Sequence, residues 1–269
     1  MLCVYLIGYT MKSRIRSFAV LAAAGTLGIL ALVGEGFLNP AQYEELAAEV
    51  GTPPELVLFA AAVQTFILMT VAIVVGLWAT PKLGFDSHLV NRVTDGSSLL
   101  ESMGSEFKPA LGVGGAIGAM LIVAERIAPE ISNGEEYEMS VELLVQSVPL
   151  RLFYGGITEE LLLRWGVMSL IVLLVWRLHG RRGDSPSAGI VWIGIIIAAI
   201  LFGVGHLPLA ASIYGTLTAE VLVFVVGANT IGGIGFGWLF WRYSLEAAII
   251  AHAFAHVVAV TIWVALLLV

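Results

Sequence analysis

Apolar runs of about 18 residues or more recur along this chain, and no other feature limits its fold as much. Backbone amides in hydrocarbon find no water, so such a chain crosses a bilayer as helices or as a closed barrel. Barrel strands are short and alternate in polarity, whereas these runs are long and continuous. The expected fold is all-α: a polytopic transmembrane helix bundle of about seven spans, making one membrane domain. Composition agrees where it decides something. Charged residues make up 12% of the 269 residues, against about 25% in a soluble domain.

The runs place spans at Ser17–Phe37, Glu55–Ala79, Pro109–Ala128, Val141–Leu178, Ala188–Leu207, Gly215–Trp241 and Ser244–Val269. Residues 1–140 then supply N-terminal segments and loops, and residues 141–269 a membrane core. Val141 to Leu178 would make roughly 57 Å of helix, too long for one crossing. Its start is amphipathic, with Glu142, Gln146 and Arg151, and Gly155-Gly156 loosens the backbone. An interfacial or re-entrant helix is expected over Val141–Tyr154, with the span proper starting near Ile157. The sizeable soluble pieces are the loops Asn39–Pro54 and Pro81–Lys108.

Lys and Arg fall in alternate connections: Lys12/Arg14/Arg16, Lys82/Arg92/Lys108, Arg177/Arg181/Arg182 and Arg242. The positive-inside rule puts the N-terminus in the cytoplasm and the C-terminus outside, in a multi-pass protein expected in the plasma membrane of a prokaryote. Lys12, Arg14 and Arg16 precede the apolar stretch Phe18–Val33, but Val33-Gly34-Glu35-Gly36 is a poor cleavage site, so an uncleaved first span is expected. Met1–Thr10 is apolar but too short to cross, and Met11 is an alternative start. The net charge is −7. Its acids (Glu44, Glu45, Glu49, Glu55; Glu130, Glu135, Glu136, Glu138) read as solvated loops. No basic run suggests nucleic acid. Cys3 stands alone, which excludes an internal disulfide and a cysteine-built metal site.

Three polar insertions break the apolar spans: Glu159-Glu160-x-x-x-Arg164, Phe202-x-x-x-His206 and His252-x-x-x-His256. Ionisable groups in hydrocarbon cost roughly 2.5–3.5 kcal/mol each on insertion scales, so they mark a working site. Glu160 and Arg164 are four apart, acid first, and neutralise each other. Glu159, about 100° around the helix, is left without a sequence-local cation, as a general base requires. His252 and His256 share one helix face. Two imidazoles so spaced either bind a metal or donate to a developing oxyanion. His206 alone reads as a helix-end histidine, and Phe202 as packing that fixes its ring. Outside these motifs, His88 and His179 read as solvated loop residues. Arg242 and Glu246 read as an interfacial pair, and Gly112, Gly114, Gly115 and Gly118 as close helix packing.

Taken in order, the three motifs resemble the CPBP family of intramembrane proteases: the type II CAAX prenyl-endopeptidases, their bacterial and archaeal relatives, and bacteriocin-processing or immunity proteins. The resemblance runs from about Val141 to the C-terminus, and Phe236–His252 looks especially like the family's third region. It implies an endopeptidase in which Glu159 activates water, assisted by His206. Glu160 and Arg164 hold the geometry, and His252 and the residue four later polarise the scissile carbonyl or bind metal. That last position, often Asn in the family, is His256 here. The substrate implied is a membrane-associated protein or peptide in the lipid bilayer: a prenylated protein, a peptide precursor or another membrane protein. Zinc held by Glu159, His206, His252 and His256 is one version of the chemistry. Metal-free, glutamate-activated water is the other, and the sequence does not separate them.

Three further readings compete. A proton-coupled transporter would spread its polar residues over more spans than the fourth, fifth and seventh. A haem protein would need its histidines on facing helices, not on one face. A catalytically inactive immunity or scaffold relative would tolerate loss of Glu159, His206 or His252, all of which are present. The expected topology also carries a conflict. Glu159 and His206 would lie about 27 Å from the cytoplasmic helix ends, but His252 only about 12 Å. Either the fourth and fifth helices project, or the seventh begins inside the bilayer. Gly232-Gly233-x-Gly235-x-Gly237 would permit a broken, re-entrant sixth segment.

Overall fold

The computed structural model describes residues 11–131 and 140–269. The readings on Met1–Thr10, Cys3, Glu135, Glu136 and Glu138 lie outside the described residues. Among the described residues every regular element is a helix. They are α1 (Met11–Leu38), α2 (Ala41–Val50), α3 (Pro54–Leu83), α4 (His88–Thr94), α5 (Leu99–Met103), α6 (Phe107–Ile131), α7 (Val141–Gln146), α8 (Leu150–Leu178), α9 (Ala188–Gly205), α10 (Leu207–Tyr214), α11 (Ala219–Arg242) and α12 (Leu245–Leu267). Seven helical segments are long and apolar enough to cross a membrane: α1, α3, the first part of α6, α8, α9 with α10, α11 and α12. The outside of the bundle is as apolar as its inside. Phe59, Phe66, Ile67, Leu68, Val71 and Val74 all project outward from α3. In water such a surface would drive aggregation; against lipid tails it costs nothing. The chain is an integral, multi-pass membrane protein.

Helix α8 is the axis of the bundle, packed against α1, α3, α9, α11 and α12. Lipid tails are as apolar as leucine, so helices here associate through small residues that let backbones close up. Gly28 faces Thr158, whose hydroxyl donates to the Gly25 carbonyl at 2.9 Å. A Cβ at Gly166 would lie 2.6 Å from the Ala72 Cβ. Gly76 receives the Trp165 ring, whose Nε1 donates to the Ile73 carbonyl at 3.4 Å. Buried Leu21, Met69, Ile73, Trp165, Met168, Ile195, Phe236 and Phe240 fill the space between.

Three expectations change. The fourth span begins at Leu150, not near Ile157. The break lies at Ser147–Pro149, where Pro149 precedes the first turn and Ser147 Oγ accepts from Arg151 Nε at 2.9 Å. Gly155 and Gly156 are buried helix positions, not a hinge. Second, α11 runs unbroken through its glycines, which are contact points. A Cβ at Gly233 would meet Ala199 at 2.9 Å, and one at Gly237 would meet Ile195 at 3.2 Å. Third, the 81–108 connection, which lies between two spans, is not an irregular loop: it folds as α4 and α5, packs on α1 and the start of α12, and buries His88, Glu106 and Glu246.

Those three side chains and Ser244 form a latch. Glu246 accepts from Ser87 Oγ (2.8 Å), His88 N (2.9 Å) and Leu89 N (3.0 Å), so it caps α4 rather than pairing with Arg242. Ser244 Oγ donates to Glu106 Oε2 at 2.6 Å, and His88 Nε2 lies 3.0 Å from the same oxygen. The Leu245 N–H donates to the Asp86 carbonyl at 3.0 Å. Ser244 is fully buried, so α12 begins inside the protein. The sixth helix does not break, and His252 meets Glu160 at one level of the bundle. Gly114 and Gly118 pack against the Ala251 and Ala255 carbonyls of α12, as the close-packing reading expects, whereas Gly112 meets nothing.

Candidate active site

Most of α8 is wound wider than an α-helix. Leu150–Glu159 and Leu161–Met168 are π-helical, closing hydrogen bonds over five residues, and ordinary α-helix resumes at Ser169. Such winding is rare and concentrates at functional sites. Ser169 Oγ donates to the Arg164 carbonyl at 3.1 Å, satisfying one backbone group in the last wide turn. Glu159 and Glu160 lie where the two wide segments meet.

Glu160 is fully buried. Its Oε1 lies 3.0 Å from Arg164 Nη1, the ion pair expected from their spacing. The same oxygen accepts from His252 Nδ1 at 2.7 Å, a contact between α8 and α12 that spacing alone does not reveal. The Arg164 guanidinium sits over the rings of Phe202 (4.7 Å) and Phe236 (5.3 Å), and Nη2 donates to the Gly233 carbonyl at 3.3 Å. Stacking between aromatic faces suits a guanidinium, which is weakly hydrated and planar.

His252 is held on three sides. Phe236 stacks on it at 4.4 Å and 16°, Phe202 meets it edge-on at 5.7 Å, and His256 lies parallel at 5.1 Å. Because a carboxylate accepts, Nδ1 carries the proton shared with Glu160. The other nitrogen, Nε2, points at Glu159 Oε2 across 3.9 Å. That gap is too wide for a direct hydrogen bond and wide enough for a bridging water. Glu159 keeps 17% of its side chain exposed, whereas Glu160 keeps none. The two neighbouring acids therefore occupy different environments, one locked and one open.

His206 ends α9. Its Nδ1 donates to the Phe202 carbonyl at 2.9 Å, because a carbonyl can only accept. A neutral ring then has its lone pair on Nε2. Phe202 also stacks edge-on against His206 at 4.6 Å, so one residue touches both His206 and His252. Phe202 thus fixes His206 through its carbonyl as well as its ring.

His256 Nδ1 is buried with no hydrogen-bond partner. Gly155 faces both imidazoles: a Cβ there would lie 3.0 Å from His256 Nε2 and 3.6 Å from His252 Nε2. The missing side chain leaves open the space beside the two ring nitrogens. Beyond His256 lies a cavity of about 220 Å³ walled by Val148, Leu152, Val257 and Val260, with Arg151 and Thr261 as its other polar members.

Among the described residues no group of three or more His, Cys, Asp or Glu is arranged to hold a metal ion. The bond to Glu160 engages only His252 Nδ1 and leaves Nε2 as the nitrogen that faces Glu159. Sequence reasoning gave Phe236, Gly155 and the Gly233 carbonyl no place at the site. Phe236 lies sixteen residues before His252 on another helix, a relation that no periodicity links.

Residues 142–258 match the family model described as Type II CAAX prenyl endopeptidase Rce1-like. That segment carries Glu159, Glu160, Arg164, His206, His252 and His256. No curated protein and no solved structure matches the chain.

Proposed function

We propose that this protein is an intramembrane endopeptidase acting through glutamate-activated water, a reading that rests on the match of residues 142–258 to the Rce1-like type II CAAX prenyl endopeptidase model and on the geometry of its polar residues. The observation that carries the reading is the 3.9 Å gap between Glu159 Oε2 and His252 Nε2. A water in that gap is held by both groups, and Glu159 takes its proton as it attacks the scissile carbonyl. Glu160 fixes the His252 tautomer and orientation, as a carboxylate behind an imidazole does in other hydrolases. Arg164 pairs with Glu160 and holds it in place.

The oxyanion needs donors. In its neutral form His252 offers only a lone pair at Nε2, so it donates only after gaining a second proton, which the Glu160 carboxylate stabilises. His256 needs no such step: its Nε2 borders the space left open at Gly155, and a neutral ring can carry its proton there. His206, with its lone pair on Nε2, assists Glu159 in proton transfer. The apolar cavity beyond His256 suits an apolar stretch of a membrane-associated protein or peptide. A transporter reading gains no observation here: the buried ionisable groups close on one another rather than lining a path.

Purified protein in detergent, offered a quenched lipidated-peptide library, tests this. Cleavage is expected from the wild type and not from Glu159→Ala. Cleavage is also expected to survive a chelator. Loss on chelation, restored by zinc, would assign a metal-bound water instead. Proton flux in liposomes without any proteolysis would replace the enzyme reading altogether.

A further inference from the structure

At the end of the bundle where α1 begins and α3 and α8 finish, cations from three helices converge. Two share one ring: Lys82 Nζ lies 4.4 Å, and Arg177 Cζ 4.7 Å, from the Trp78 centroid. Lys82 also donates to the Trp78 carbonyl. Arg14 of α1 and Arg181, just past α8, both lie within electrostatic range of Lys82. Arg181 is the one non-glycine residue with positive φ (49°) among the described residues, and its guanidinium stands 5.8 Å from the Trp176 ring. A bulky residue held left-handed costs energy, and such strain clusters at functional sites. Among the described residues no carboxylate lies within 4 Å of any of these four cations.

Like charges gathered from three helices repel one another unless an anion joins them. Cation–π stacking occupies the faces of the guanidinium groups and leaves their edges free, the geometry that grips phosphate. Beneath the cations the surface is apolar and outward-facing, through Trp78, Val74 and Leu174. A free phosphate would use the cations and ignore that strip; a phospholipid uses both. We propose that the ends of α1, α3 and α8 form a binding site for an anionic phospholipid. Its phosphate is held by Arg14, Lys82, Arg177 and Arg181, and its acyl chains lie along Val74 and Leu174. The site is separate from the hydrolytic centre and stands whether or not that centre cleaves peptides.

The test is native mass spectrometry of the full chain in neutral detergent, titrated with phosphatidylglycerol or phosphatidylcholine. Retained phosphatidylglycerol, with no retained phosphatidylcholine, is expected. Each cation removed should weaken retention roughly fivefold, in Lys82→Gln, Arg177→Gln and their double variant. Lys108→Gln, on the same face but outside the cluster, should match the wild type. Lys82, Arg177, Lys108 and Arg14 are all exposed, so their variants should melt like the wild type in neutral detergent. Should the double variant fail to fold, Arg14→Gln alone gives the same reading. Equal retention of both lipids, or retention indifferent to these substitutions, overturns the site. Stabilisation by inorganic phosphate that phosphatidylglycerol does not increase overturns its assignment to lipid.

Discussion

Glu159 and Glu160 are neighbours with opposite fates, and the difference lies in what each side chain meets. Glu160 meets Arg164 and His252 and is sealed from solvent. Glu159 meets only the far nitrogen of His252 and stays partly open. Replacing Glu159 by Gln keeps the shape and removes the base, so peptide cleavage should fall by about 10²–10⁴-fold while the melting temperature in detergent holds. Cleavage by Glu159→Gln at the wild-type rate would mean that another group activates the water. Arg164→Met has the opposite signature. It strands a buried carboxylate, a change that costs ~3–5 kcal/mol, so the protein should melt earlier before any assay is read. Gly155→Ala discriminates further. Its methyl would stand 3.0 Å from His256 Nε2, crowding the space for the oxyanion. We expect a folded protein with kcat lowered at least tenfold; an unchanged kcat would move the oxyanion elsewhere.

At the scale of elements, α12 delivers His252 because its first turn is anchored below the surface. The latch of Ser244 and Glu246 against α4 sets where that helix starts. Glu246→Gln leaves one carboxamide oxygen where two carboxylate oxygens accepted three donors. Stranding a buried donor costs ~1–3 kcal/mol, which should appear as a lower melting temperature in detergent. A variant that melts like the wild type would show that the latch does not hold α12. The wide winding of α8 and the small residues along it are the complementary device. Gly156 faces Ala253 closely enough that a Cβ would lie 3.0 Å from the alanine Cβ. Overpacking a core costs ~1–3 kcal/mol, so Gly156→Leu should push α8 from α12, lowering both stability and cleavage.

At the scale of the whole molecule, the alternation of Lys and Arg predicts a cytoplasmic N-terminus. Cysteines introduced at Ser13 and Leu268 should label from opposite sides of sealed vesicles; labelling from one side would require a different number of crossings. The apolar runs determined the all-α membrane bundle and the place of each of its seven spans, because a span must be long, uncharged and self-bonded in hydrocarbon. They also marked the polar intrusions, because charge in such runs is too costly to be incidental. Spacing along one helix gave the Glu160–Arg164 pair, since residues four apart meet whatever surrounds them. Only the tertiary structure decided that His252 Nδ1 bonds to Glu160, that Phe236 floors the site, that the glycines of α11 are contacts and not a break, and that His88 and Glu246 are buried. Each of these depends on which faces of two helices meet, and at what depth. Small residues and buried hydrogen bonds set that meeting between segments far apart in the chain, and local periodicity carries no record of it.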